Sequence, residues 1–137
     1  MTKPSAVPSV ALWMWVGAKI GVIRAFALAC GVEAVGVAAS VLWIALPGVV
    51  LAAALLGGTF MGITALGLVA ARQLSQGDPR RLLALMTAAF GLGQIVGPVF
   101  AGTLYDKSGS FVSSSLTATG ALVVAALLVT GSAAQKP

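Results

Sequence analysis

The chain has 137 residues, of which 59% are hydrophobic and only 8% charged, and its 8 basic and 3 acidic side chains give a net charge of +5. A soluble domain of this size carries about 25% charged residues to face water, so a water-soluble globule is excluded and lipid must surround most of the chain. The basic residues are scattered between apolar runs rather than gathered into a patch, which argues against nucleic acid as a partner, and the single Cys30 rules out an intramolecular disulfide.

Residues 1–18 open the chain. Their apolar stretch, Val10 to Ala18, is too short to cross a bilayer and runs into Lys19 and Arg24. It reads as an interfacial segment, with Trp13 and Trp15 at headgroup depth, or as the remnant of a preceding helix. No small-residue cleavage site precedes a polar mature domain, so no signal-peptide cleavage is expected.

Residues 19–130 form the transmembrane region. Crossing about 30 Å of hydrocarbon takes about 20 helical residues, and four runs qualify: 25–46, 49–71, 82–104 and 112–130. They are too continuously apolar for barrel strands, which alternate, so they must be helices. The fold class is all-α, a polytopic membrane protein of about four transmembrane helices in a bundle. Pro47-Gly48 reads as the turn between the first two spans. Asp78-Pro79 reads as a helix start, with Asp78 capping free N–H groups and Pro79 at the first helical position. Residues 131–137 are a short tail. The first loop side, the 72–81 loop and the tail carry Lys3, Lys19, Arg24, Arg72, Arg80, Arg81 and Lys136, against Lys107 alone on the other side. The positive-inside rule then puts both termini in the cytoplasm of a multi-pass protein of the inner or plasma membrane.

Three features carry chemistry. Glu33 is the only acidic residue inside a span. An ionised carboxylate in hydrocarbon costs several kcal/mol, so Glu33 faces a cavity, a partner or a proton. In the third span Ala89, Gly93, Gly97 and Ala101 recur every fourth residue, and the second span repeats this at Ala54, Gly58 and Gly62. Such stripes let helices approach closely, and Gly93 and Gly97 are expected to touch another helix. Pro98 frees the carbonyl of Gln94, and Thr87, Gly91, Gln94 and Pro98 share roughly one face. That arrangement suits a kinked helix lining a cavity, or a static kink with Gln94 bonded to a neighbour. Glu33, Gln94 and Thr87 are the candidates for a transport path. No catalytic residues, cofactor site or metal site are expected: there is no His, and no two carboxylates share a span.

The run Gly91-x-Gly93-Gln94-x-x-Gly97-Pro98-x-x-Ala101-Gly102-x-x-Tyr105-Asp106-x-x-Gly109-Ser110 resembles the eleventh helix and following loop of major facilitator superfamily (MFS) transporters. Asp78-Pro79-Arg80-Arg81 is similar to the cytoplasmic start of that helix. Gly17-Ala18-Lys19-Ile20-Gly21-x-x-Arg24 resembles a degraded copy of the basic loop between helices eight and nine, without its usual Asp. The resemblance covers nearly all of residues 17–130 and implies that the four spans correspond to helices nine to twelve of a twelve-helix fold. It also implies loop-motif roles for Asp106 and Gly109, packing roles for Gly91 and Gly102, and a packing or supporting role for Glu33, because other helices line that fold's central path.

The expected function is therefore membrane transport, as the C-terminal portion of a truncated or split MFS secondary transporter of a small solute, with proton coupling and inactive alone. Its partners are the lipid bilayer, the solute, protons, and other transporter helices or a homo-oligomer. Two alternatives stay open. One is a self-sufficient exporter like the small multidrug resistance proteins, dimeric, with Glu33 as its membrane carboxylate. The other is a non-transporting module that packs against other helices.

Overall fold

A computed structural model describes residues 8–134 and contains five helices: α1 Pro8–Ile20, α2 Val22–Leu42, α3 Leu46–Leu74, α4 Pro79–Ser108 and α5 Val112–Ala134. No strand occurs among the described residues. Helices α2 to α5 are each long and apolar enough to cross a membrane, at mean hydropathies between 1.7 and 2.1. Residues 1–7 and 135–137, with Lys3 and Lys136 and the far ends of the expected N-terminal segment and tail, lie outside the described residues.

The helix ends follow local chemistry. The Asp78 carboxylate accepts from the Arg80 N–H at 2.9 Å, and Pro79 opens α4 without an N–H to lose. Gly109 ends α4 at φ 68°, in the left-handed region that side chains avoid, and its N–H bonds the Tyr105 carbonyl at 2.7 Å. Asp106 therefore lies in the last turn of α4, exposed, rather than in a loop. The α2–α3 turn also differs from the sequence reading. The chain turns at residues 43–45, and Pro47-Gly48 falls in the first turn of α3. Proline suits that position as well as it suits a turn. Trp43 folds back over Gly48, where a Cβ would run into the Trp43 carbonyl and ring.

Residue pairings fix the directions. Gly36 meets Leu55 and Leu56 while Gly67 meets Phe26, so α2 and α3 are antiparallel. Phe60 pairs with Phe90 and Gly67 with Met86, so α3 and α4 are antiparallel as well. Helix α2 packs extensively along α3 on one side and α5 on the other. Helix α4 closes the ring opposite α2, touching α3 and α5 far more lightly and α2 not at all. No residue of α4 is buried. The space between α2 and α4 is a cavity.

Helix α1 packs against α3 and α2. Trp13 lies against Gly62 and Gly17 against Leu66, so α1 runs parallel to α3. The Trp13 indole N–H donates to the Gly58 carbonyl at 2.8 Å. Trp13 is thus buried at the middle of α3, 7% exposed, and not at an interface; Trp15 stays exposed with the Lys19 ammonium 5.8 Å from its ring centre. A Cβ on Gly62 would run into the Trp13 ring. The core of buried side chains consists of Trp13, Ala25, Ala29 and Leu66, where α1, α2 and α3 meet.

Candidate functional site

Polar groups inside an apolar span mark where it meets something other than lipid. Glu33 is one, midway along α2 and only 9% exposed. It lines a partly open cavity of about 470 Å³ bordered by α2 to α5. Phe26 joins it from α2. Helix α3 contributes Phe60, Ile63, Thr64, Gly67 and Leu68; α4 contributes Met86, Thr87 and Phe90; α5 contributes Leu122. The volume lies within the range of about 300–1,000 Å³ typical of small-molecule sites.

The polar inventory of this cavity is short. The Thr87 hydroxyl donates to the Leu83 carbonyl of its own helix at 2.9 Å, and the Thr64 hydroxyl to the Phe60 carbonyl at 3.1 Å. The Glu33 carboxyl makes no hydrogen bond or ion pair with any described residue. No Lys or Arg lines the cavity. It is therefore a greasy, aromatic chamber with one acidic group free to meet a guest.

Two of the three sequence candidates, Glu33 on α2 and Thr87 on α4, are brought to this one cavity. The third, Gln94, is not: it stands exposed two turns further along α4, with no hydrogen-bond partner among the described residues. Helix α4 continues unbroken through Pro98, which is also exposed. The close contact expected of Gly93 and Gly97 is absent within this chain. A Cβ at Gly91, Gly93, Gly97 or Gly102 would meet no atom within 4 Å. Gly93 and Gly97 follow the cavity-lining Met86 and Phe90 at helical spacing on one side of α4, beyond the end of the cavity, and the space beside them is open. Gly62, by contrast, lies under the Trp13 ring, and the Gly58 carbonyl accepts from its indole N–H although a Cβ at Gly58 would meet nothing within 4 Å. Among described Cys, His, Asp and Glu residues no group could hold a metal ion.

The sequence reading missed Phe26, Phe60, Phe90, Met86 and Leu122 as cavity walls. Phe60 and Phe90 bridge α3 and α4 with ring centres 6.4 Å apart. Their only sequence signal was being aromatic in an apolar run, which does not distinguish a wall from a lipid-facing side chain.

Residues 2–130 match the family model described as "Uncharacterised MFS-type transporter YbfB". No curated protein and no solved structure matches the chain.

Proposed function

The chain belongs to the family of YbfB-like MFS-type transporters, and on that premise we propose that it supplies helices nine to twelve of a secondary transporter for a small solute. In this reading α2 to α5 are those four helices. Helix α1 is the cytoplasmic end of helix eight, a view supported by its packing along α3 rather than apart from the bundle. The cavity ringed by α2 to α5 holds the solute or a way-station for it, with Glu33 and Thr87 in its wall.

The observation that carries the reading is the family match across residues 2–130, nearly the whole chain. The open space beside Gly93 and Gly97 supports it, because small residues with no contact in this chain leave room for a further helix. The transporting unit then includes helices beyond the four spans, in the inner or plasma membrane, with the solute path between them and this bundle.

The test is reconstitution of the chain alone into liposomes under a proton gradient. No solute-driven proton flux and no cation efflux is the expected result. Robust proton-driven cation efflux that Glu33→Gln abolishes would overturn this reading in favour of a self-sufficient dimeric exporter.

A further inference from the structure

The cavity's chemistry excludes most solute classes. A sugar or polyol needs several donors and acceptors, but the two lining hydroxyls spend their single O–H donors on their own helices' carbonyls and can only accept. An anion, or the carboxylate of an amino acid, needs a donor or a cation, and no basic side chain lines the space. A neutral hydrocarbon would leave the Glu33 carboxyl, 9% exposed and without a partner in this chain, facing apolar matter. A cation with an apolar body satisfies both the acid and the walls. The phenyl rings of Phe26, Phe60 and Phe90 line the same space, and aromatic faces attract organic cations as well as burying their hydrocarbon.

We infer that the α2–α5 cavity binds a lipophilic organic cation, an ammonium or phosphonium carrying aromatic or branched alkyl groups, with Glu33 as its counter-charge and the three phenylalanines as its walls. The inference rests on the transporter reading and names a solute class for it. Recognition is by charge and hydrophobic bulk, without directional hydrogen bonds. The site should therefore accept cations of varied shape and reject the same shapes with opposite charge.

The test is equilibrium dialysis of the full chain in nanodiscs against tetraphenylphosphonium, with empty nanodiscs as background. Tetraphenylborate, nearly the same shape with a negative charge, is the control. The expected result is saturable phosphonium binding, weakened about tenfold or more by Glu33→Gln, and no saturable borate binding. Leu122→Trp, which adds bulk to the cavity from α5 and leaves the Glu33 side chain itself unchanged, should abolish phosphonium binding. Phosphonium affinity within about twofold of the parent in Glu33→Gln, saturable borate binding, or phosphonium binding that survives Leu122→Trp would each overturn the inference. If Glu33→Gln does not yield monodisperse protein, the borate control and Leu122→Trp still decide. Binding at equilibrium needs no transport. Absence of phosphonium binding by folded chain therefore rejects this solute class alone, whereas efflux by the isolated chain rejects the transporter-portion reading whatever the cation.

Discussion

At the scale of single residues, the tightest constraint in the bundle is Trp13 on Gly62. The ring occupies the volume a side chain at 62 would need, and its N–H finds the Gly58 carbonyl. Gly62→Ala forces the ring or α1 to move, so a loss of about 1–3 kcal/mol is expected, read as a lower midpoint of unfolding in detergent. Trp13→Phe keeps most of the ring but loses the hydrogen bond, and about 1 kcal/mol is expected. Gly58→Ala should be near neutral, because a Cβ there meets nothing within 4 Å. Equal losses at 58 and 62 would show that helix propensity, not the ring, sets the cost. The two glycines were visible in the sequence as a stripe; the tryptophan that covers one of them was not. Tryptophan is at home at a membrane interface and equally in a core where its N–H has an acceptor. Glu33 and Thr87 were legible as groups that must face something other than lipid, because polarity is costly in a span, and both line the cavity. The phenylalanines beside them were not, because a helix in lipid is apolar all round and its pattern does not tell the inner face from the outer.

At the scale of helices, four spans could be read from run length alone, because lipid fixes how long an apolar helix must be. The ends were legible only where one residue has one meaning. Asp78 could cap, and it does, whereas Gly109, placed only in a loop motif by the resemblance, proves to be the left-handed end of α4. Pro47 can end one helix or begin the next, and here it begins α3. Gly109→Ala puts a Cβ at φ 68° and should cost about 1–2 kcal/mol, measured by thermal unfolding; no change would mean that the α4–α5 turn relaxes to another geometry. Helix α4 carries the sharper test. Its glycines at 91, 93, 97 and 102 meet no other helix here, so Gly97→Leu should leave the stability of this chain within about 0.5 kcal/mol of the parent. In a transporter that contains the remaining helices the same substitution should reduce assembly, seen as loss of the assembled species in native electrophoresis. A large loss in the isolated chain would mean that the glycine face already packs against a helix.

For the molecule as a whole, the pairing of helix ends allows the charge asymmetry to be argued in three dimensions. Gly21 and Val22 share a crevice with Gln73, so the α1–α2 turn and the α3–α4 loop lie at one end of the bundle. Lys19, Arg24, Arg72, Arg80 and Arg81 belong to that end. Helices α3 and α4 being antiparallel, the 43–45 turn and the α4–α5 turn, with Asp106 and Lys107, lie at the other. Basic loops are retained on the cytoplasmic side, so the Gly21 end is expected to face the cytoplasm. The direction of this asymmetry does not depend on Lys3. That matters because α1, parallel to α3, carries the chain about 20 Å from Pro8 to the Gly21 end. Pro8 thus lies alongside the middle of α3, exposed and away from the basic end. Reporter fusions after Ala45 and after Gly109 are expected to read outside, and fusions after Gln76 and at the C-terminus inside. The reverse pattern would invert the orientation. A cysteine at Ser9, in a Cys30→Ala background, should resist a membrane-impermeant maleimide added from the cytoplasmic face, whereas one at Gln76 should react. Ready cytoplasmic labelling at position 9 would mean that α1 lies on the membrane surface rather than along α3, and would remove helix eight from the assignment while leaving the four spans in place.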